Sequence, residues 1–473
     1  MSYVDAIYDR DNDKIQIAER IDGKRILKDF PAIYEFYYDD PNGKYKSTHR
    51  TPVSHVKCKS STDFYKELKI HNNKKIYESD FNPVFRFLSE NYKDVDSPTL
   101  HTAFFDIETD FCQERGYAPT SDPFNQITAI SLYLNWLDKL ICLVIAPSTL
   151  TQTEANDIVN GFEEDVILFN TEVEMVEAFF LLIDDADVLS GWNSEAYDIP
   201  YQVNRVTKIM NKNATRKFCL WNKLPKKRTF ERYGKEQQTY DLVGRIHMDY
   251  MQLYQKYTYH EMHSYALDAI AEYELGEHKV PYKGTLDQLY NQDFKKFIEY
   301  SLQDTMLLAK LDRKLKFLDL ANELAHANTV LIPTTAGSVA LIEQAIINEA
   351  HERGFVVPNK TKEEIMNTKA AGAYVAYPKK GIHKWIGSID INSLYPSIIR
   401  SLNMAPETII GQLRPTKTDK YIKDKMTKRK GETQVTFAGA WEGLFSSLEY
   451  SEVMGKRSDI EIDVDWDDGK TSK

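Results

Sequence analysis

The sequence predicts a multidomain α/β protein, and three observations carry that prediction. The chain has 473 residues, 42% hydrophobic and 28% charged, which is too long for one ordinary domain and enough for several buried cores. Short apolar runs with strand character, TAFFDIETD, QITAISLYL and KLICLVIAP, follow one another closely from Thr102 and suggest a sheet. Helix-like stretches near 173–184 and 197–210 flank a further short apolar run, DVLSGW, which adds the α component.

The same composition excludes a wholly disordered chain and a small disulfide-built scaffold. Cys58, Cys112, Cys142 and Cys219 stand far apart and form no CxxC pair, so neither a zinc ribbon nor a thiol redox motif is supported. A reducing compartment is expected. The opening residues MSYVDAIYDRDNDK lack the apolar run of a signal peptide. No stretch reaches the roughly 18 apolar residues of a spanning helix. A soluble intracellular protein without membrane contact is therefore expected. The net charge of −11 argues against a nucleic-acid binder only weakly, because a total hides its distribution. The 29 Tyr and 22 Phe leave room for stacking surfaces beside the cores.

Residues 1–98 mix short β-like runs with turn signals and read as a small mixed α/β domain. Asp40-Pro41-Asn42-Gly43 is a strong turn between two strands. A second α/β domain covers about 99–330. Within it, Arg205 to Arg245 carries 12 Lys or Arg against 3 acids, with ERYGKEQ at its centre reading as a hairpin turn. Such a run is either a solvated surface or a nucleic-acid backbone contact. Residues 292–328 read as strongly helical, and another helix follows from Ser338 to Arg353. The runs AGAYVAY from Ala371 and WIGSID ending at Asp390 read as strands. The tail is basic over 414–430, with eight Lys or Arg against two Asp, then acidic over 459–468, with six acids and no base. These stretches either dock a partner or keep the tail solvated.

Asp106 and Glu108 flank Ile107 in a predicted strand, so the two-residue period puts both carboxylates on one face. Adjacent acids repel and are costly to bury unless cations neutralise them, a task suited to Mg²⁺ or Mn²⁺. Alone, a DxE pair is also an ordinary feature of a solvated strand. Tyr300 and Asp304, four apart in IEYSLQDTMLL, share a helix face. They are also what a surface acid beside a half-buried tyrosine would look like. In GWNSEAYDIP, Asn193 and Asp198 follow an apolar run, and both are equally fitted to capping. If the four acids converge, the pocket suits two-metal phosphodiester hydrolysis.

The order DIE, NSEAYD, YSLQD resembles the three exonuclease motifs of the family B DNA polymerases, most nearly those of the T-even bacteriophage branch. That resemblance implies a ribonuclease H-like exonuclease domain over 99–330, with an N-terminal domain over 1–98 that returns at about 331–365. A partial polymerase palm with a charged tail would occupy 366–473. The implied metal ligands are Asp106, Glu108, Asp304 and Asp198, with Tyr300 orienting the attacking water. Tyr117 falls where the branch places an aromatic that stacks on terminal bases. The resemblance further implies DNA contact by Asn193, by Lys226, Lys227 and Arg228 near a strand-partitioning hairpin, and by Tyr374 in a linker motif.

The string DINSLYPSIIR, residues 390–400, resembles polymerase motif A of the same family. By that match Asp390 binds a catalytic metal, and Asp390, Ser393, Leu394 and Tyr395 shape the nucleotide pocket, Tyr395 excluding a ribose 2′-hydroxyl. The lysine-rich fingers motif and the second acidic motif of the family do not follow. The expected protein is thus a polymerase fragment carrying a 3′–5′ proofreading exonuclease. Two Mg²⁺ ions, replaceable by Mn²⁺, would serve it. Single-stranded and primer–template DNA are the expected partners. A second chain would supply fingers, remaining palm and thumb, with a sliding clamp reached through that chain. If phage-encoded, it would work in the cytoplasm of an infected bacterium. The alternatives are a non-catalytic DNA-binding or assembly subunit of a replisome, which would bind no Mn²⁺ at the four acids, and a stand-alone repair exonuclease, which has no use for LYPS.

Overall fold

The computed structural model describes residues 2–232, 235–360 and 376–405, then 408, 411–413, 422–426, 435, 439–440, 464–466 and 471–472. They divide into two units, Met1–Lys369 and Ala370–Lys473. In the first unit, β1 (Ser2–Asp9), β2 (Lys14–Ile21) and β3 (Lys24–Pro31) form an antiparallel sheet. The β2–β3 connection is Asp22-Gly23, with φ of 49° and 74°, the paired left-handed geometry that a two-residue hairpin requires. Next come β4 (Tyr34–Asp39), β5 (Tyr45–Ser47), β6 (Pro52–Cys58), α1 (Ser61–Ile70), β7 (Ile76–Tyr77) and α2 (Pro83–Asn91). The turn at Asp40–Gly43 does connect β4 to β5, but β6 lies between those strands in the sheet, so the turn spans a gap and closes no hairpin. Helix α2 starts with Asn82 accepting from the Val84 N–H and Pro83 in the first turn. It lays Val84, Phe87 and Leu88 on Ala6, Ile15 and Ile17.

The central sheet of this unit has β8 (Thr102–Thr109), β9 (Ile127–Leu134), β10 (Lys139–Ile145), β11 (Asp165–Phe169) and β12 (Val188–Gly191), with α3 (Gln152–Val159) and α4 (Glu172–Leu182) between them. Then follow α5 (Asp198–Ile209), the hairpin of β13 (Lys226–Arg232) and β14 (Lys235–Asp241), and β15 (Ile246–Asp249). The spatial order is β11-β10-β9-β8-β12-β15, with β8–β9–β10 antiparallel and the β8–β12, β12–β15 and β10–β11 pairs parallel. Strand β8 is central and nearly covered, which explains its unbroken apolar reading apart from Asp106 and Glu108.

Helices α6 (Tyr250–Tyr257), α7 (Leu267–Leu275), α8 (Leu286–Gln292), α9 (Phe294–Leu315) and α10 (Phe317–Ala327) complete the layer. The helical run predicted for 292–328 is two long helices, because Lys316 adopts a left-handed φ of 55° between α9 and α10. Helix α9 crosses the sheet. Phe297, Ile298 and Leu302 pack on Ala129, Cys142 and Val144. A 2.6 Å hydrogen bond between Ser131 Oγ and Thr305 Oγ1 fixes the crossing. After α11 (Ser338–Glu352), β16 (Phe355–Val356) pairs with β5 and returns the chain to the N-terminal sheet.

The second unit contains α12 (Leu394–Ser401) and three short antiparallel strands, β17 (Gly411–Leu413), β18 (Val464–Trp466) and β19 (Thr471–Ser472). WIGSID, expected as a strand, is irregular and exposed: a strand is defined by its ladder partner, and no described residue pairs with 385–390. Most of the basic 414–430 and acidic 459–468 stretches lie outside the described residues. Among the described residues no helix is long and apolar enough to cross a membrane.

Candidate active site

Strand alternation in β8 puts Asp106 and Glu108 on the face that α9 covers, and the four-residue spacing in α9 turns Tyr300 and Asp304 toward them. One carboxylate oxygen from each of Asp106, Glu108 and Asp304 lies within 4.8 Å of the others. Asp198, the first residue of α5, is 4% exposed, and its Oδ1 accepts the Ile107 N–H of β8 at 3.3 Å. Three of the four predicted acids thus form one cluster, and the fourth is tied to the backbone between the first two.

The electrostatics are those of crowded, buried acids. Burial, then repulsion from Asp304, pushes Asp106 up to about 7. Burial followed by Asp106 and Asp304 drives Glu108 well above the usual range, and burial followed by Asp106 does the same to Asp198. Asp304 is raised by burial, against the pull of Lys279. Its Oδ1 is buried without a hydrogen-bond partner. An orphaned oxygen facing a cluster of hard carboxylate donors fits a divalent cation such as Mg²⁺ or Mn²⁺.

Sequence reasoning missed Lys279. Its Nζ donates to Asp304 Oδ2 at 2.6 Å and to Tyr300 OH at 3.1 Å. Burial opposes its charge, but Asp304, Tyr300 and Asp106 outweigh burial and raise its pKa. Nothing in HKVPYKG separates this lysine from the other basic residues; only the fold brings the loop onto α9. Tyr282 of the same loop packs edge-on to Tyr300 at 5.3 Å. Burial, then Asp304 and Glu108, raises the Tyr300 phenol, so it stays protonated at neutral pH.

Around this centre, Tyr117 is 50% exposed on the loop after β8, braced edge-on by Phe111 at 5.0 Å. Its half-open ring is available for stacking. Asn193 has a left-handed φ of 61°, and its N–H donates to Asp249 Oδ1 at 3.0 Å. Lys226 and Lys227 are exposed on β13. Arg228 is committed within the protein: its Nε donates to Asp241 Oδ1 at 2.9 Å and its Nη2 to Glu195. In the second unit, Asp390, Ser393, Leu394 and Tyr395 run along an exposed segment into the first turn of α12. Ser393 takes a left-handed φ of 54° at the start of that helix. Tyr374 lies outside the described residues.

Comparison with known families matches residues 50–270 to the exonuclease domain of DNA polymerase family B, and residues 329–463 to DNA polymerase family B. The DNA-directed DNA polymerase of Escherichia phage RB69 is 27% identical over 357 residues, 71% of this chain and 39% of that one. That of Enterobacteria phage T4 is 28% identical over 256 residues, 54% of this chain and 28% of its own. A DNA polymerase of Pyrococcus glycovorans is 28% identical over 260 residues, 52% of this chain and 32% of the archaeal one. Phage and archaeal enzymes match at nearly the same identity, so the branches are not separated. The chain spans less than two fifths of the length of these relatives.

Proposed function

Since the chain belongs to family B of the DNA polymerases, through its exonuclease domain and the start of the palm, we propose that it removes nucleotides from the 3′ end of single-stranded or frayed DNA. The observation that carries this reading is the cluster of Asp106, Glu108 and Asp304 oxygens within 4.8 Å, with Asp304 Oδ1 left unpartnered. Asp106, Glu108 and Asp304, with Asp198 beside them, would hold two Mg²⁺ ions. When bound, such ions supply an activated water and offset charge developing on the phosphate. Tyr300 keeps its proton and, with Lys279 donating to its oxygen, presents its O–H to orient a water or a phosphate oxygen. Lys279 also fixes Asp304. Tyr117 is proposed to stack on the terminal base, and Asn193, Lys226 and Lys227 to meet the strand. The longer reach of the match to the phage RB69 enzyme, 71% of the chain against 52% for the archaeal one, supports the phage branch.

For synthesis, Asp390, Ser393, Leu394 and Tyr395 are proposed as the first half of a nucleotide site, with Tyr374 near the template. Synthesis and clamp contact are proposed only for an assembly that supplies a second acidic motif, fingers and thumb. The purified chain, given 3′-labelled DNA and Mg²⁺, is expected to release mononucleotides from the 3′ end. Folded protein that binds Mn²⁺ at the site yet releases nothing overturns the proposal.

A further inference from the structure

The loop carrying Asp198 is stitched to three other elements. Asp249, at the start of α6, accepts the N–H groups of Asn193, Glu195 and Met251 at 3.0, 3.2 and 3.0 Å. Ser194 Oγ meets His247 Nε2 of β15 at 2.9 Å. A Cβ at Gly191 would lie 2.7 Å from Ser194 Cβ and 3.0 Å from the Phe105 carbonyl oxygen, so the loop enters with no slack. Glu195 then divides its carboxylate. One oxygen takes the Arg228 guanidinium from the hairpin β13–β14, and the other takes the Gln252 amide from α6. Arg228 is further held by Asp241 across the hairpin. Glu195 is only 15% exposed in its side chain, so this junction is partly shielded from solvent.

We infer that Glu195 is a positioning residue which, through Arg228, latches the hairpin to the loop that aims Asp198. The inference rests on the 3′ hydrolysis reading above and adds a coupling to it. A hairpin seated on its latch holds Asp198 against β8. A hairpin shifted away from Glu195 releases that hold, so the seating of the hairpin is reported to Asp198, three residues on. The chemistry is a charge-assisted joint between the hairpin and the loop, with the Glu195 side chain 15% exposed and that of Arg228 41%.

The test uses the full chain with E195Q, R228M, the double variant and R228K, on 3′-labelled single-stranded DNA with Mg²⁺. Each single variant is expected to lower kcat about 10- to 100-fold with KM within about twofold. The double variant is expected to fall no further than the deeper single, because both cut one joint. R228K restores part of the loss. A change confined to KM, or losses that multiply, assigns Arg228 to DNA contact and overturns the inference. Amide exchange reads the latch apart from catalysis. The N–H groups of Ala196 and Tyr197, bonded to the Asn193 carbonyl at 3.1 and 3.3 Å, are expected to exchange faster in R228M. Unchanged exchange overturns the latch even if the chain has no nuclease activity, whereas faster exchange in an inactive chain overturns only the hydrolysis reading.

Discussion

Asp187 and Asp304 are both almost fully buried carboxylates of the first unit, and their surroundings differ in kind. Asp187 receives the Arg20 guanidinium as a two-pronged pair at 2.6 and 2.7 Å and the His101 N–H at 3.0 Å. The remaining donors of Arg20 go to Asp185 and to the Gly23 and Asp185 carbonyls. Every charge in that group has an answer, and the group pins the N-terminal sheet to the start of β12. Asp304 shares one lysine with two further acids and leaves Oδ1 unanswered. A complete set of partners marks a joint, and an incomplete set of buried charges marks a place kept for something else.

Two variants set these groups against each other. D106N combined with E108Q is expected to cut 3′ hydrolysis by at least about 10⁴-fold, or about 5.4 kcal/mol of transition-state stabilisation. The metal-free protein should unfold no more easily, because two repelling charges are gone. Single-turnover hydrolysis and thermal unfolding read both, and a collapse of the fold would mean the acids are structural. R20M is expected to do the reverse. It strands Asp187 without its cation and should cost about 3–5 kcal/mol in denaturant unfolding. Its hydrolysis rate, measured where the variant is still folded, should stay within about twofold. A large rate loss there would erase the distinction between joint and site.

Lys279 blurs that distinction, since it is a structural cation inside the site. K279M is expected to lower kcat about 10- to 100-fold, because Tyr300 loses the donor on its oxygen and Asp304 its anchor. An unchanged kcat would reduce Lys279 to a counter-ion that merely offsets repulsion among the acids.

Much of this was legible in the sequence because the relevant periods are short. Alternation in TAFFDIETD puts Asp106 and Glu108 on one face, and the helical period puts Tyr300 beside Asp304, and both placements appear in the structure. Lys279 was not legible, because its position depends on a loop folding back onto α9 and no local period records that. Arg228 was read as a DNA contact from the basic run and from the family resemblance. Glu195 and Asp241 pair with it in the structure, and a basic count does not register acids from 13 and 33 residues away. WIGSID failed as a strand for the complementary reason: propensity names a strand, but pairing makes one.

Asp5 offers the finest version of the comparison, being a buried carboxyl whose hydrogen-bond donors are backbone N–H groups. Burial pushes it up to about 7, against the backbone N–H groups of Ala6 and Gly244 and the more distant Lys226. A carboxyl raised in the folded state binds more protons there than in the unfolded chain between about pH 4 and 7, so stability falls as pH rises through that window. D5N removes the titrating proton while keeping an acceptor for the backbone donors. At pH 8 it should therefore be more stable than the parent by on the order of 1–2 kcal/mol, and at pH 4 the advantage should vanish. Denaturant midpoints at the two pH values check this. An equal gap at both would mean that Asp5 is held ionised by its backbone donors, and so belongs with Asp187 among the answered charges.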